Sequence, residues 1–246
     1  MNSNEQMDYY LKTLLLSRIR ETYLKESENA AKAKMSYKDF LFRLVENEVL
    51  SKIDRSINRK IQISGFPMIK RFEEFDFSFQ PQLDEKLLRE LTNLDFLDEA
   101  KNIVLLGPPG VGKTHLAISY GIKACMKQKR VQFFTAEKLV HALVTHEVAG
   151  SLKTFLESMS KLDLIIIDEL GYIELNKKTA ALFFQLIAIR YEKKSIIITS
   201  NKPFDDWGSI FCDDVVAAAI IDRLLHHCYP FFINGKSFRV KNLKNI

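Results

Sequence analysis

The sequence predicts a three-layer α/β fold, a central parallel sheet of five strands between layers of helices, preceded by a small all-α domain. Three observations carry this. From about residue 102 onward, short apolar runs alternate with amphipathic segments; a stretch nearly bare of side chains, GPPGVGKT, joins the first run to the segment after it; and before residue 72 the pattern is helical. Such alternation marks a parallel sheet wrapped by helices, because parallel strands need a crossover and the crossover is usually a helix. With 246 residues, 47% of them hydrophobic, the chain has room for one large domain and a small one.

In chain order, residues 8–28 and 36–50 read as amphipathic helices, the first with Leu11, Leu14, Leu15 and Ile19 on one face. The second opens on a capping-box pattern, Ser36 followed by Asp39. Gly65 and Pro67 end the helical pattern, so the expected domains are 1–71 and 72–246. The segment FEEFDFSFQP reads as an extended connector, and residues 84–99 as a helix. Strands are then expected near 102–106, 131–135, 164–168, 195–199 and 229–233, with helices near 114–127, 137–146, 151–161 and 177–191.

GPPGVGKT fits G-x-x-x-x-G-K-[ST], the phosphate-cradling loop, with Gly107 and Gly112 as its fixed glycines. Such a loop works only after a buried strand and before a helix, since backbone N–H groups at a helix N-terminus form the anion site. Ile103 to Leu106 supply the strand, and Leu116, Ala117, Tyr120 and Ala124 the helical spacing. The expected nucleotide loop is therefore Gly107, Pro108, Pro109, Gly110, Val111, Gly112, Lys113, Thr114 and His115. Lys113 would reach the β- and γ-phosphates, and the Thr114 hydroxyl would ligate Mg²⁺.

A second apolar run, LIIIDEL, ends in adjacent acids. Asp168 suits the metal, and Glu169 suits a general base acting on water. The run IIITSN ends in Thr199, Ser200 and Asn201, where a polar side chain can hold that water. DELG and NKPF imitate guanine-nucleotide motifs, but the carboxylate that would read guanine is replaced by Phe204, so ATP is the expected nucleotide. A small-molecule kinase is the alternative enzyme, and no arginine-rich insertion is seen to close over an acceptor.

The net charge of +5 is concentrated in residues 52–71, where Lys52, Arg55, Arg59, Lys60, Lys70 and Arg71 face one acid, Asp54. This run reads either as a duplex-DNA contact or as a solvated helix face. Cys125, Cys212 and Cys228 are too few and too scattered for a disulfide framework or a zinc ribbon, which suits a cytoplasmic protein. His226 and His227 lack a second cluster of ligands and read as core or interface residues, and Trp207 as a packing anchor. No apolar run is long enough for a membrane span, and the N-terminus lacks the pattern of a signal peptide.

Taken together, GPPGVGKTHLA, LIIIDELGYI, the run from Leu182 to Asp213, AAAIIDRLLHHC and GKSFR make the chain resemble the IstB-like helper ATPases of bacterial transposons. These are relatives of the DnaC-type helicase loaders in the AAA+ superfamily of P-loop NTPases. The resemblance implies Walker A at Lys113 and Thr114, Walker B at Asp168 and Glu169, and sensor 1 at Asn201. It further implies an arginine finger at Arg223, reaching a neighbouring subunit, and a nucleotide-contacting arginine at Arg239. Only about thirteen residues follow the last expected strand, too few for the full C-terminal lid usual in AAA+ proteins. The function it implies is ATP-dependent self-assembly on double-stranded DNA and delivery or activation of a cognate transposase; a loader acting on a replicative helicase is the alternative.

Overall fold

A computed structural model describes residues 2–235, 237 and 238. The chain divides into two compact units, Met1–Arg59 and Lys60–Ile246.

The first unit holds α1 (Ser3–Thr13), α2 (Ser17–Lys32) and most of α3 (Tyr37–Ile63). The single helix expected over 8–28 is broken at Leu14–Leu16, where Leu15 takes φ +56° and the Leu16 N–H reaches back to the Leu11 carbonyl at 2.9 Å. Neither glycine nor proline marks this turn, so helical periodicity runs through it unchanged. The turn lets Leu11, Ile19 and Leu44 bury one another. Ser36 caps α3 as expected, accepting from the Asp39 N–H at 3.1 Å and donating to its carboxylate at 2.6 Å.

Helix α3 runs thirteen residues beyond its expected end at 50, taking in Lys52, Arg55, Arg59 and Lys60. Its anchor is Glu48, only 2% exposed. The N-cap of α2, Leu16, offers no side-chain oxygen, and Glu48 supplies one across the bundle, accepting from the Ile19 N–H at 2.9 Å. The other carboxylate oxygen meets Arg55 at 3.3 Å and Lys52 at 3.9 Å.

The second unit is built on β1 (Asn102–Leu106), β2 (Val131–Thr135), β3 (Leu164–Asp168), β4 (Ser195–Ser200) and β5 (Cys228–Phe232). All pair in parallel, in the order β2-β3-β4-β1-β5. Successive residues alternate faces. Ile103, Leu105, Ile166 and Ile197 join one core, with α6 (Lys113–Met126) and residues 72–97; Val104, Leu106, Ile165, Ile167, Ile196 and Ile198 join the other. That second core is closed by α7 (Ala136–Val148), α8 (Leu152–Ser160), α9 (Lys177–Arg190), α10 (Trp207–Phe211) and α11 (Asp214–Leu225), numbered after the two short helices α4 (Glu85–Glu90) and α5 (Asp95–Asp98). Burial on both faces is why the strands read as continuous apolar runs. Trp207 is fully buried between Phe204 and Phe211, the anchor expected of it.

Three expectations need correction. The helix expected over 84–99 is interrupted at Leu94, whose φ of +66° separates α4 from α5. FEEFDFSFQP is not extended but forms two 3₁₀ turns, Phe72–Glu74 and Phe77–Phe79, because Phe72 and Phe75 are drawn into the core against Tyr120 and Phe77. The compact units part at 59/60 rather than at 71/72. Residues 64–66 already lie against the sheet: the Ser64 carbonyl accepts from the Phe133 N–H at 2.7 Å, on the edge strand β2, and Phe66 packs on Phe133 and over Gly121.

Glu48→Ala should destabilise the helical unit by about 2–3 kcal/mol, since it leaves the Ile19 N–H buried without an acceptor and removes the anion shared by Arg55 and Lys52. Glu48→Gln keeps an acceptor and should cost less than half of that. Denaturant titration followed by circular dichroism measures both.

Candidate nucleotide site

The site forms where β1 leaves the sheet between β4 and β5. Gly107 takes φ +148°, and a Cβ there would stand 2.2 Å from the Ile233 carbonyl oxygen, so only glycine lets the chain turn out beside the end of β5. Gly112, at φ +102°, opens α6 without a side-chain cap, and a Cβ would meet the Phe75 ring at 2.5 Å. First-turn N–H groups that lack intrahelical acceptors thus point toward the loop, a ready anion site. Lys113 Nζ donates to the Gly107 and Pro108 carbonyls at 2.6 and 2.8 Å, which holds the ammonium across the mouth of the loop.

Asp168, at the end of β3, is 4% exposed. The Thr114 hydroxyl donates to its two oxygens at 2.9 and 3.1 Å, and the Thr199 hydroxyl, from β4, donates to Oδ1 at 2.5 Å. Thr199 Oγ1 in turn accepts from the Glu169 N–H at 2.9 Å. Glu169 is held at φ +65°, a conformation unfavourable for a side-chain-bearing residue, which turns its carboxylate off the strand line. It lines a cavity of about 40 Å³ together with Pro109, Gly110, Lys113, Thr114, Tyr172, Thr199, Ser200 and Asn201. Asn201 Oδ1 is buried there without a hydrogen-bond partner among the described residues, and it lies so close over Gly171 that a Cβ would clash with it. The hard oxygens of Thr114 and Asp168, side by side, fit a divalent cation with a preference for oxygen ligands.

On the other side of the loop lies a larger cavity of about 300 Å³. Met68, Phe75, Phe79, Ile118 and Phe238 give it apolar walls, and Lys70, Glu74, Asp76 and Gln80 polar edges. Gly110, Lys113 and Thr114 border both cavities, so a ligand with an aromatic body and a phosphate tail can span them. His115 lines the larger cavity; its Nε2 lies 2.8 Å from the Arg71 carbonyl and its ring meets Phe75 edge-on. Burial, aided by the Lys70 charge, pushes its pKa below the usual imidazole range against the opposing effect of the Arg71 carbonyl, so the neutral ring donates this bond.

The structure therefore brings Lys113, Thr114, Asp168, Glu169 and Asn201 together. Of the basic run, Lys52, Arg55, Arg59 and Lys60 lie on α3, while Lys70 lines the larger cavity and Arg71 holds His115 through its backbone. Arg223, on α11, lines neither cavity: it donates to the Ala219 carbonyl at 3.0 Å, and its guanidinium lies 4.6 Å from the Phe184 ring centroid. Arg239 lies outside the described residues. His226 and His227 are not core residues; their side chains are 52% and 46% exposed, because α11 ends just before them and β5 begins just after. Two contributions were missed. Thr199 looks like any strand terminus in sequence, and of the aromatic wall, Phe75 and Phe79 have as their only signal the density of phenylalanine between 66 and 79, while Phe238 has none.

The strand order, the loop leaving β1 and the acid pair on β3 define a P-loop NTPase of the AAA+ class. Solved structures agree at the level of fold: AMPPCP-bound DnaA from Aquifex aeolicus superposes with a TM-score of 0.59 at 21% identity, over 74% of this chain and 55% of that one. The DnaC helicase loader gives 0.52 at 22%, over 72% and 99%. The chain belongs to the family of IstB-like ATP-binding proteins, whose pattern it matches over residues 10–245. It is 43% identical over 233 residues to the ATP-binding protein of insertion sequence IS21 from Pseudomonas aeruginosa, covering 93% of this chain and 88% of the relative. With that of IS5376 from Geobacillus stearothermophilus the identity is 44% over 237 residues, covering 96% and 94%. It is thus an ATP-binding protein of a transposition-associated family. Among the described residues no helix is long and apolar enough to cross a membrane.

Thr199→Val keeps the side-chain volume but strips Asp168 of one donor and the Glu169 N–H of its acceptor. Stability should fall by about 1–3 kcal/mol. Thr199→Ser should restore most of it, and binding of a fluorescent ATP analogue should survive both changes, since neither touches the apolar walls.

Proposed function

We propose that the protein hydrolyses ATP in a Mg²⁺-dependent reaction, assembles with copies of itself on duplex DNA, and there recruits or activates the transposase of its element. The observation that carries the hydrolytic part is the arrangement of Glu169, Asn201 and Lys113 around one small cavity, next to the Thr114–Asp168 pair. In this reading Lys113 leaves the loop carbonyls for the β- and γ-phosphates. Glu169 accepts a proton from the attacking water, and Asn201, whose Oδ1 has no hydrogen-bond partner among the described residues, orients that water. Thr114 and Asp168 would hold Mg²⁺, which neutralises charge between the β- and γ-phosphates when bound. The Thr199 bond to the Glu169 backbone fixes the angle at which the base approaches.

Assembly is supported by the position of Arg223, a guanidinium that lines neither cavity of its own chain's site and lies over the Phe184 ring. Delivered by a neighbouring subunit, such a charge complements the γ-phosphate, so hydrolysis would follow association. The client is read as a transposase because the sequence relatives are proteins of insertion sequences. Likeness to a helicase loader is one of fold, and a replicative helicase is the second-choice client. For DNA, the cations of α3 are the candidates, with exposed Arg59 and half-buried Lys60 favoured over Arg55 and Lys52, which share the Glu48 carboxylate. A cytoplasmic location follows from this role.

Glu169→Gln should bind ATP yet lose at least a hundredfold in turnover, and it should persist on duplex DNA after wild type has dissociated. Lys113→Ala by itself should neither bind nucleotide nor assemble, but it can still join a neighbour whose own site holds ATP. On the same duplex, changing Arg59 and Lys60 to glutamine should lower the log-log salt slope by roughly 0.9 for each phosphate no longer neutralised. Normal turnover by Glu169→Gln would remove the base assignment, and an unchanged slope would remove α3 as the DNA-binding element.

Arg223→Ala chains keep an intact phosphate loop, and Lys113→Ala chains keep an intact Arg223. Mixing the two inactive proteins should restore part of the ATPase rate. Absence of recovery in mixtures shown by cross-linking to co-assemble would confine Arg223 to its own chain.

A further inference from the structure

On the opposite edge of the sheet from the nucleotide, at the N-terminal ends of β4 and β5, three ligand-bearing side chains converge. Glu192 sits in the turn from α9 to β4, and His226 and His227 in the turn from α11 to β5. One oxygen, Glu192 Oε1, lies 3.3 Å from His226 Nδ1 and 3.5 Å from His227 Nε2. A tetrahedral zinc ion with bonds of about 2.0–2.15 Å places its ligand atoms about 3.3–3.5 Å apart. Two edges of the coordination tetrahedron are therefore already present, and all three donor atoms lie within 4.8 Å of one another, so a modest rotation of one imidazole completes the third.

The backbone on both sides is fixed. Glu192 is held at φ +55° by the Lys193 and Lys194 N–H groups, both donating to the Arg190 carbonyl at 3.0 Å, and Arg190 is buried with its guanidinium on the Met159, Leu162 and Ser195 carbonyls. On the other side, the His226 N–H donates to the Asp222 carbonyl at 3.0 Å, and the His227 carbonyl accepts from Asn102 N–H at 2.7 Å, tying the pair to the first residue of β1. The side chains themselves are about half exposed, open to an ion from solvent and with room for a water as fourth ligand. Two imidazoles and one carboxylate select a borderline transition metal over Mg²⁺ or Ca²⁺, which prefer oxygen alone.

We propose that Glu192, His226 and His227 form a Zn²⁺ site, with His226 bound through Nδ1 and His227 through Nε2. The Tyr191 hydroxyl lies 2.7 Å from the same His226 Nδ1, so it competes with the ion for that nitrogen and is displaced by it. Arg223 lies over the Tyr191 ring at 6.0 Å, so metal binding acts on the ring beside that arginine.

The test uses the untagged full chain, stripped of metal and held in millimolar Mg²⁺ so that the oxygen ligands of the nucleotide site are occupied. Zn²⁺ is titrated against a chromophoric chelator, and Co²⁺ is added separately to read the intense visible bands of tetrahedral coordination. One ion per chain is expected, with affinity lowered at least tenfold in Glu192→Ala and in the double variant His226→Ala/His227→Ala, and with the cobalt bands lost in both. Tyr191→Phe, which removes the competitor, should bind at least as tightly as wild type. These residues are exposed, so the variants should fold, and circular dichroism checks that they do. No bound ion in wild type, undiminished binding in the double variant, or loss of binding in Tyr191→Phe would each overturn the site.

Discussion

A buried carboxylate holds this nucleotide site together. Asp168 ends β3 almost out of reach of water, and an anion so placed is tolerated only when its oxygens are satisfied. The hydroxyls that satisfy it come from α6, through Thr114, and from β4, through Thr199. The helix carrying the phosphate loop is thereby tied to two strands by one side chain. Thr199 passes the constraint on, because its oxygen fixes the Glu169 N–H in a backbone conformation that Glu169 would not adopt unaided. A change at Asp168 would be felt by Thr114 on the helix that carries the loop and, through Thr199, by the Glu169 backbone.

The second contribution to the site is apolar and comes from the chain before the sheet begins. Phe75, just after the first 3₁₀ turn, and Phe79, in the second, wall the larger cavity, and Phe72 ties those turns to Tyr120 on the back of α6. In the proposed reading, phosphate recognition and the recognition of an aromatic base would thus rest on different kinds of structure. The first is backbone geometry at a strand-to-helix turn, and the second is packing of phenylalanines that also complete the hydrophobic core.

What could be read from sequence follows from this difference. The five strands fall within one residue of their expected limits because burial on both faces leaves an unmixed apolar run, the most local of signals. Lys113, Thr114, Asp168 and Glu169 stand at ends of such runs, where topology alone gathers them. Tertiary effects were not legible. The reversal at Leu15 has no turn residue to announce it, whereas the extension of α3 past Leu50 is signalled by Ile53, Ile57 and Ile61 at helical spacing, a signal hidden among the charged residues between them. The role of Thr199 depends on a carboxylate thirty-one residues away, and that of Phe75 and Phe79 on a cavity that exists only once α6 is docked. The two histidines mislead for the same reason, since exposure at the end of α11 is set by where β5 begins.

The carbonyl of Ser64, set against the outer strand β2, has a consequence for how copies of this chain can join. A parallel sheet with an open flank invites a neighbour's strand, and growth of that kind is hard to reverse. Here the flank is occupied by the chain's own backbone at Phe133, and the opposite outer strand, β5, carries Pro230, which has no N–H to offer. In the assembly proposed above, copies would therefore meet through side chains and loops instead of extending the sheet at these two strands. An assembly made that way could be dismantled by changing what a few side chains touch, which would suit the release from DNA proposed above.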